Sequence, residues 1–325
     1  MIDVARLAGV SHQTVSRVIN APDSVRPDTR VRVQRAIDEL GYRRNMAARA
    51  LVTDSTRTIG VITASSHFFG PASTTTAIED AARAAGYACL VSALRSQDTQ
   101  EVDDLLTFSI NRGVDGIIAV VPQVAIARAA TKAASSVPLV LIADGLEPAE
   151  RIHVVSVDHE LGARMAVRHL ISQGRKQIAH VSGPGDWFDA RARVRGWRAT
   201  LEDSGLDEAP CLEGDWSAES GYRLAGALCA RERVDAIFCA NDLMALGALA
   251  ALRDQGIAVP SDVAVVGYDG VDGAAYYTPS LTTVQQPFED LGRVALEVLV
   301  EALRTGGIGT SHSISPSLQV RHSSI

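Results

Sequence analysis

MIDVARLAGVSHQTVSRVIN, residues 1–20, reads as a short helix, a tight turn and a second helix of different character. Val4, Ala5, Leu7 and Ala8 put small and apolar groups on one side of the first helix, and Gly9 supplies the turn, where a left-handed backbone favours a residue without a side chain. Ser11 is placed to cap the second helix by accepting a hydrogen bond from the backbone N–H of Gln13 or Thr14. In that helix Val15, Val18 and Ile19 point one way, while His12, Gln13, Ser16, Arg17 and Asn20 point the other. One face is core and the other is a row of donors and acceptors. Ala5 is small enough for the two helices to cross closely, as in a helix-turn-helix that projects its second helix into a major groove. An amphipathic helix pair on the rim of an enzyme has the same periodicity, so the choice rests on what surrounds it.

Pro27 opens a third helix at the first-turn position that proline tolerates. Val31, Val33, Ile37 and Leu40 are available to close a small core, and Gly41 ends the helix. The following YRRNMAARAL, residues 42–51, is rich in Ala and Arg and has too little apolar area to fold alone, so it needs a partner to become helical. Charge divides at the same place. Residues 1–60 hold ten arginines against six acidic residues, about +4, so about −11 falls on the rest of a chain whose formal net charge is −7. Such asymmetry points to nucleic acid at one end only. Lys132 and Lys176 are the only lysines, which leaves phosphate contacts to Arg, polar side chains and backbone N–H groups.

At 325 residues the chain suits a small domain plus two larger lobes. No stretch approaches the ~20 apolar residues of a membrane helix, and the N-terminus lacks a basic-then-apolar signal, so a cytoplasmic location is expected. Cys89, Cys211, Cys229 and Cys239 form no CxxC pair and sit mostly in apolar runs, which favours reduced core thiols over disulfides or a metal site.

From Arg57 onward short β-branched runs alternate with helical stretches. TIGVITA, YACLVSA, GIIAVV, PLVLIAD and VVSVD read as buried parallel strands, and QIAHVSG, AIFCAND and VAVVGYD form a second series. Helices are expected over 72–86, 98–111 and 125–134, then near 189–204, 217–231 and 243–255. Two successive sets mean two doubly wound lobes, with ligand at the carboxyl ends of the strands. The polar residues there are Asp144, Asn241, Asp242 and Asp269. Carboxylates accept hydroxyl hydrogens, Asn donates and accepts, Arg193 can fork across vicinal oxygens and Trp216 can cover the C–H face of a pyranose. Equally, an Asp or Asn after a strand caps helices and forms turns. HExxH, GxSxG and Walker patterns are absent, and the Gly-Pro-Gly of residues 183–185 is a turn signal, so no enzyme is expected.

DVARLAGVSHQTVSRVIN, ELGYRRNMAARAL and TRTIGVI, followed by GPGDWFDARARVRGW, CLEGDWSAESGY, ANDLMALGAL and VVGYDGVDGAAYYTPSLTTVQQPFEDLG, resemble the lactose repressor family in order and spacing. The resemblance implies an all-α helix-turn-helix headpiece over 1–44, a hinge helix and linker over 45–56, and an α/β core over 57–325 of two doubly wound, periplasmic-binding-protein-like lobes. One lobe would take about 57–156 and 287–312, the other about 157–286 and 313–325. It implies base reading by His12, Gln13 and Arg17, phosphate contacts by Thr14, Ser16, Asn20 and Thr29, and a minor-groove wedge at Leu51 with Ala47 and Ala48 packing on the partner's hinge. The family's effector positions fall on Asp144, Arg193, Trp216, Asn241, Asp269, Gln286 and Phe288, with Ala64, Phe68, Pro71, Thr74 and Asp189 on the walls. The implied protein is a homodimeric repressor, without cofactor or metal, released from a palindromic operator by a small sugar such as a galactoside or other glycoside. A purine effector, or a solute-binding protein without DNA function, is the alternative. The chain stops soon after LQVRHS with no leucine-heptad tail, so a dimer is expected rather than a tetramer. Family members carry residues before the first helix, including a Thr cap where Met1 stands, so either the start lies upstream or that helix lacks about 1 kcal/mol of capping.

Overall fold

A computed structural model of the chain describes residues 1–42, 55–64, 68–95, 98–133, 137–231 and 233–325. Ala47, Ala48 and Leu51, assigned to the hinge from the sequence, lie outside the described residues. The chain divides into two compact units, residues 1–56 and 57–325.

The first unit holds α1 (Ile2–Ala8), α2 (His12–Asn20) and α3 (Pro27–Glu39). Gly9 closes α1 at φ 63°, and its neighbour Val10 returns its N–H to the Ala5 carbonyl at 3.0 Å. Ser11 Oγ accepts from Thr14 N at 3.1 Å, the cap that its position anticipates. Among the described residues no side chain caps α1, whose first flanking residue is Met1. Val4, Ala5, Ala8, Val15, Val18, Val33 and Ala36 form the core. Leu7, Val31 and Leu40 are exposed, contrary to expectation. At 100° per residue Leu7 turns away from the Ala5–Ala8 stripe, and Val31 lies roughly 200° from Val33. Leu40 falls beyond the last helical residue, so Ala36 and Ile37 complete the α3 face.

The second unit contains two six-stranded sheets. The first is built from β1 (Thr58–Thr63), β2 (Ala88–Ala93), β3 (Gly116–Val120), β4 (Leu139–Ile142), β5 (Ile152–Val157) and β11 (Ser311–Ile314), in the order β11-β5-β4-β3-β1-β2. The second comprises β6 (Ile178–Ser182), β7 (Cys211–Glu213), β8 (Ala236–Cys239), β9 (Ala264–Asp269), β10 (Thr282–Gln285) and β12 (Ser317–Gln319), ordered β12-β10-β9-β8-β6-β7. Pairing is parallel except between β10 and β12. Leaving out the last edge strand, each sheet has the same 2-1-3-4-5 winding.

Helices α4 (Phe69–Ala84), α5 (Thr99–Asn111) and α6 (Val124–Ala133) serve the first sheet, and α7 (His159–Ser172), α8 (Phe188–Asp203), α9 (Ala218–Arg231) and α10 (Asp242–Asp254) the second. Helix α11 (Phe288–Thr305) leaves β10 and packs back on the first sheet, with Leu291, Ala295, Leu296 and Leu299 set against Ile59, Ile118 and Val140. The chain thus passes between the sheets after β5, β10 and β11. The strand list drawn from sequence lacks β7, β10 and β11, and its helix list lacks α7 and α11. β7 and β11 are short and at least partly exposed, and β10 is buried but made of Thr282, Thr283, Val284 and Gln285, so none makes an apolar run. YACLVSA, read as a buried strand, forms instead the partly exposed edge strand β2, with Val91 open to solvent. Cys239 is buried and the other three cysteines are half-buried, all with free thiols.

Candidate functional site

Two surfaces gather the residues singled out in the sequence. On α2, His12, Gln13, Arg17 and Asn20 are exposed while Val15 and Val18 are buried, so the start of the helix presents a polar row. Thr14 and Ser16 are half-buried beside it: Thr14 Oγ1 lies 2.9 Å from Ser11 Oγ, and Asn20 Nδ2 donates to Ser16 Oγ at 3.2 Å. Thr29, in the first turn of α3, is also half-buried.

The second surface is a cleft of about 400 Å³ at the carboxyl ends of both sheets. Asp144, Arg193, Trp216, Asn241, Asp269, Gln286, Phe288, Phe68 and Asp189 all line it, as do Pro71 and Thr74. Ala64 is not part of the lining; it is buried past β1, with its N–H on the Val120 carbonyl at 3.0 Å. The parallel strands explain the convergence. Asp144 lies two residues past β4, Asn241 two past β8, Asp269 ends β9 and Gln286 follows β10.

Arg193 anchors the polar floor. It is only 2% exposed, donates through Nη1 to the Ala240 carbonyl, and lies with Nη2 3.8 Å from Asp269 Oδ1. Its guanidinium stacks 3.8 Å above the centre of the Tyr268 ring. Gln286 Nε2 donates to Asp269 Oδ1 at 2.7 Å. Burial pushes the Asp269 carboxyl up to about 6, against the lowering effect of Arg193 and Gln286. Burial and the nearby Asp189 charge likewise raise Asp144 to about 6, with Arg195 at 3.6 Å opposing. Asp189 is raised by burial too. Asp242 is a buried strut outside the lining, accepting from Thr283 Oγ1 at 2.6 Å and Val271 N at 2.8 Å.

Aromatic rings form the walls. Phe68 meets Trp187 edge-on at 4.9 Å and Trp187 meets Trp216 at 5.2 Å, while Phe69 meets Phe288 at 5.7 Å. Trp216 and Asp269 both hold left-handed backbones, φ 73° and 103°, unusual for residues with side chains and concentrated at binding sites. Gly183 makes room for the Trp216 ring, because a Cβ there would overlap the six-membered ring. Asn241 fulfils the helix-cap alternative: Oδ1 accepts from Met244 N at 2.8 Å, and Nδ2 donates to the Trp216 carbonyl at 3.0 Å. Its amide therefore braces the wall through one N–H and one oxygen lone pair. The indole Nε1 of Trp216 and the Nε of Arg193 are buried without a partner among the described residues.

Sequence reasoning passed over His159, Trp187 and Phe69, which also line the cleft. His159 had a signal, standing two residues past β5 as Asp144 stands two past β4. Among the described residues no His, Cys, Asp or Glu group is arranged to hold a metal ion, and no helix is long and apolar enough to cross a membrane.

Residues 1–45 match the family described as bacterial regulatory proteins, lacI family, and residues 167–324 match the periplasmic binding protein-like domain. Catabolite control protein A of Priestia megaterium is 36% identical, over 95% of this chain and 94% of that protein. The HTH-type transcriptional repressor PurR of Haemophilus influenzae is 33% identical, over 99% of this chain and 97% of that protein. A solved lac repressor dimer bound to operator and the anti-inducer ONPF aligns with a TM-score of 0.90 at 32% identity, covering 99% of this chain and 98% of that one.

Proposed function

Since the chain belongs to the lacI family of bacterial regulatory proteins and is thus a DNA-binding transcriptional regulator, we propose that it is a cytoplasmic, homodimeric repressor whose hold on a palindromic operator is set by a small sugar in the cleft. His12, Gln13 and Arg17 read bases; Thr14, Ser16, Asn20 and Thr29 position the helix on phosphates. Leu51 wedges the minor groove with Ala47 and Ala48 on the partner's hinge. Asp144, Asp189 and Asp269 accept hydroxyl hydrogens, Arg193 and the Trp216 indole donate, Asn241 and Gln286 hold this floor in place, and Phe68 and Phe288 cover the apolar face of the ring. The observation that carries the sugar reading is the meeting of the Asp144, Asp189 and Asp269 carboxylates with two donors that have no partner among the described residues, inside aromatic walls. Catalysis forms no part of the proposal.

Ligand favours one arrangement of the two lobes, and that arrangement separates the paired hinge segments, with a coupling of typically 1–3 kcal/mol. The same aromatic walls can stack a purine, the alternative suggested by the PurR relative. A thermal-shift screen of the purified protein against neutral mono- and disaccharides, glycosides and purines decides between them, because a ligand at 100 times its Kd adds about 2.7 kcal/mol. A shift with purines and none with any saccharide overturns the sugar assignment.

A further inference from the structure

His159 lines the cleft with polar neighbours at both ring nitrogens. The first residue of α7, it is buried; Nδ1 lies 3.3 Å from Arg193 Nη2 and 3.3 Å from Tyr268 Oη, and Nε2 lies 3.3 Å from Asp189 Oδ1. A guanidinium only donates, and an ionised carboxylate only accepts. One neutral tautomer satisfies both sides: a lone pair on Nδ1 receives the Arg193 donor, and an Nε2–H donates to Asp189. The opposite tautomer has the Tyr268 hydroxyl to accept its Nδ1–H, but it sets that N–H against the Arg193 donor and a lone pair against the Asp189 carboxylate. The charged groups around the ring are Arg193 and Asp189 from α8, Asp269 beside Tyr268 on β9, and Asp158 preceding α7, whose Oδ1 accepts from Leu161 N at 2.8 Å. Burial and the Arg193 charge hold the imidazole well below the ordinary histidine range, so it stays neutral near pH 7.

Imidazole and guanidinium thereby join two carboxylates that belong to different elements. Gln286 donates to Asp269, Asp269 faces Arg193, Arg193 donates to His159, and His159 Nε2 lies 3.3 Å from Asp189 Oδ1. We propose that His159 is a positioning residue for the ligand: its Nε2–H fixes Asp189 as an acceptor for a ligand hydroxyl and ties it through Arg193 to Asp269, so that both ends of the floor bind as one unit. This rests on the proposed binding of a polyhydroxylated ligand in the cleft.

Two measurements test it. Long-range ¹H–¹⁵N spectra of the histidine rings in the free, full-length protein, with the His159 signal identified by its loss in His159→Gln, are expected to show the neutral Nε2–H tautomer at pH 7. An Nδ1–H tautomer or an imidazolium overturns the assignment. Calorimetric titration with methyl β-galactoside and with cellobiose then compares variants. His159→Leu is expected to bind whichever sugar the wild type binds about tenfold more weakly or worse, as for a lost hydrogen bond to a charged group. His159→Gln, whose amide supplies both a donor and an acceptor, is expected to restore affinity to within a few-fold. Equal losses in the two variants, or no loss in His159→Leu, overturn the proposal. If His159→Leu fails to fold, the His159→Gln affinity and the tautomer decide. If the wild type binds neither sugar, it is the choice of ligand that fails, and the tautomer alone decides the role of His159.

Discussion

Asp269 concentrates the residue-scale physics of the cleft: a left-handed backbone, a hydrogen bond from Gln286 and an ion pair with a buried arginine. Converting it to Asp269→Asn removes the charge that faces Arg193 and an acceptor for ligand hydroxyls, so the thermal shift given by ligand is expected to disappear. A variant stabilised like the wild type removes Asp269 from the site. The pH dependence has a definite sign. Asp144 and Asp269 titrate near 6 in the folded chain, above the unfolded value of about 3.9. Their ionisation therefore subtracts stability at pH 7, and that stability is recovered as the pH falls through 6 toward 4. A ligand that needs both as ionised acceptors competes with those protons. Its affinity is expected to be level above pH 7 and to weaken below 6, by up to about tenfold per pH unit for each carboxylate. Titrations at pH 5.0 and 7.5 that give equal affinity refute this. On the DNA side, Arg17 stands exposed on the recognition face, and Arg17→Ala is expected to lower discrimination among operator variants by about 1–3 kcal/mol at the base it reads. Unchanged preference in a competition assay would assign Arg17 to phosphate instead.

Whole elements are held by a few junction residues. Ser11 caps α2 where the polar row begins, so Ser11→Ala is expected to destabilise the three-helix unit by about 1 kcal/mol and to weaken operator binding with it. Thermal melts of residues 1–56 within the intact chain, followed by hydrogen exchange, measure that loss; no change in α2 protection argues that packing alone holds the helix. In the second unit the loop after β6 must pass beneath an indole. Gly183→Ala is expected to push Trp216 out of the wall and cut ligand affinity, read as a change in tryptophan fluorescence together with a smaller thermal shift. The polar residues of the cleft were legible at this scale because a parallel strand delivers whatever follows it to one end of its sheet. That rule reaches Asp144, Asn241 and Asp269, and applied to β5 it reaches His159 as well. It does not reveal what each side chain touches there: Asn241, beside lining the cleft, caps a helix and braces Trp216.

At the scale of the molecule, the charge asymmetry sets the expectation. A headpiece carrying about +4 on arginine releases counterions when it meets DNA, so operator affinity should fall steeply and linearly in log[salt]. A flat response between 50 and 200 mM salt, a range over which phosphate-contacting proteins lose orders of magnitude, would sink the DNA model. The two sides of the cleft come from separate stretches of chain, with Phe68, Asp144 and Phe288 beside the first sheet's elements and Arg193, Trp216 and Asp269 beside the second's. A ligand that touches both sets is able to bias their arrangement, but only by its difference in affinity for the two states.

What the sequence determined by itself was local. The helix-turn-helix is written in a cap, a glycine and a 3.6-residue periodicity within the first twenty positions, and the buried strands in β-branched runs of five to seven. Interactions of that range are encoded in neighbouring residues, so neighbouring residues reveal them. The tertiary structure alone decided the return of α11 to the first sheet, the burial of Ala36 in place of Val31 and Leu40, and the floor that joins Gln286, Asp269, Arg193, His159 and Asp189. Those contacts unite residues as far apart as Ile59 and Leu291 in one core. Their pairing depends on sheet order and chain crossings, which no local periodicity records.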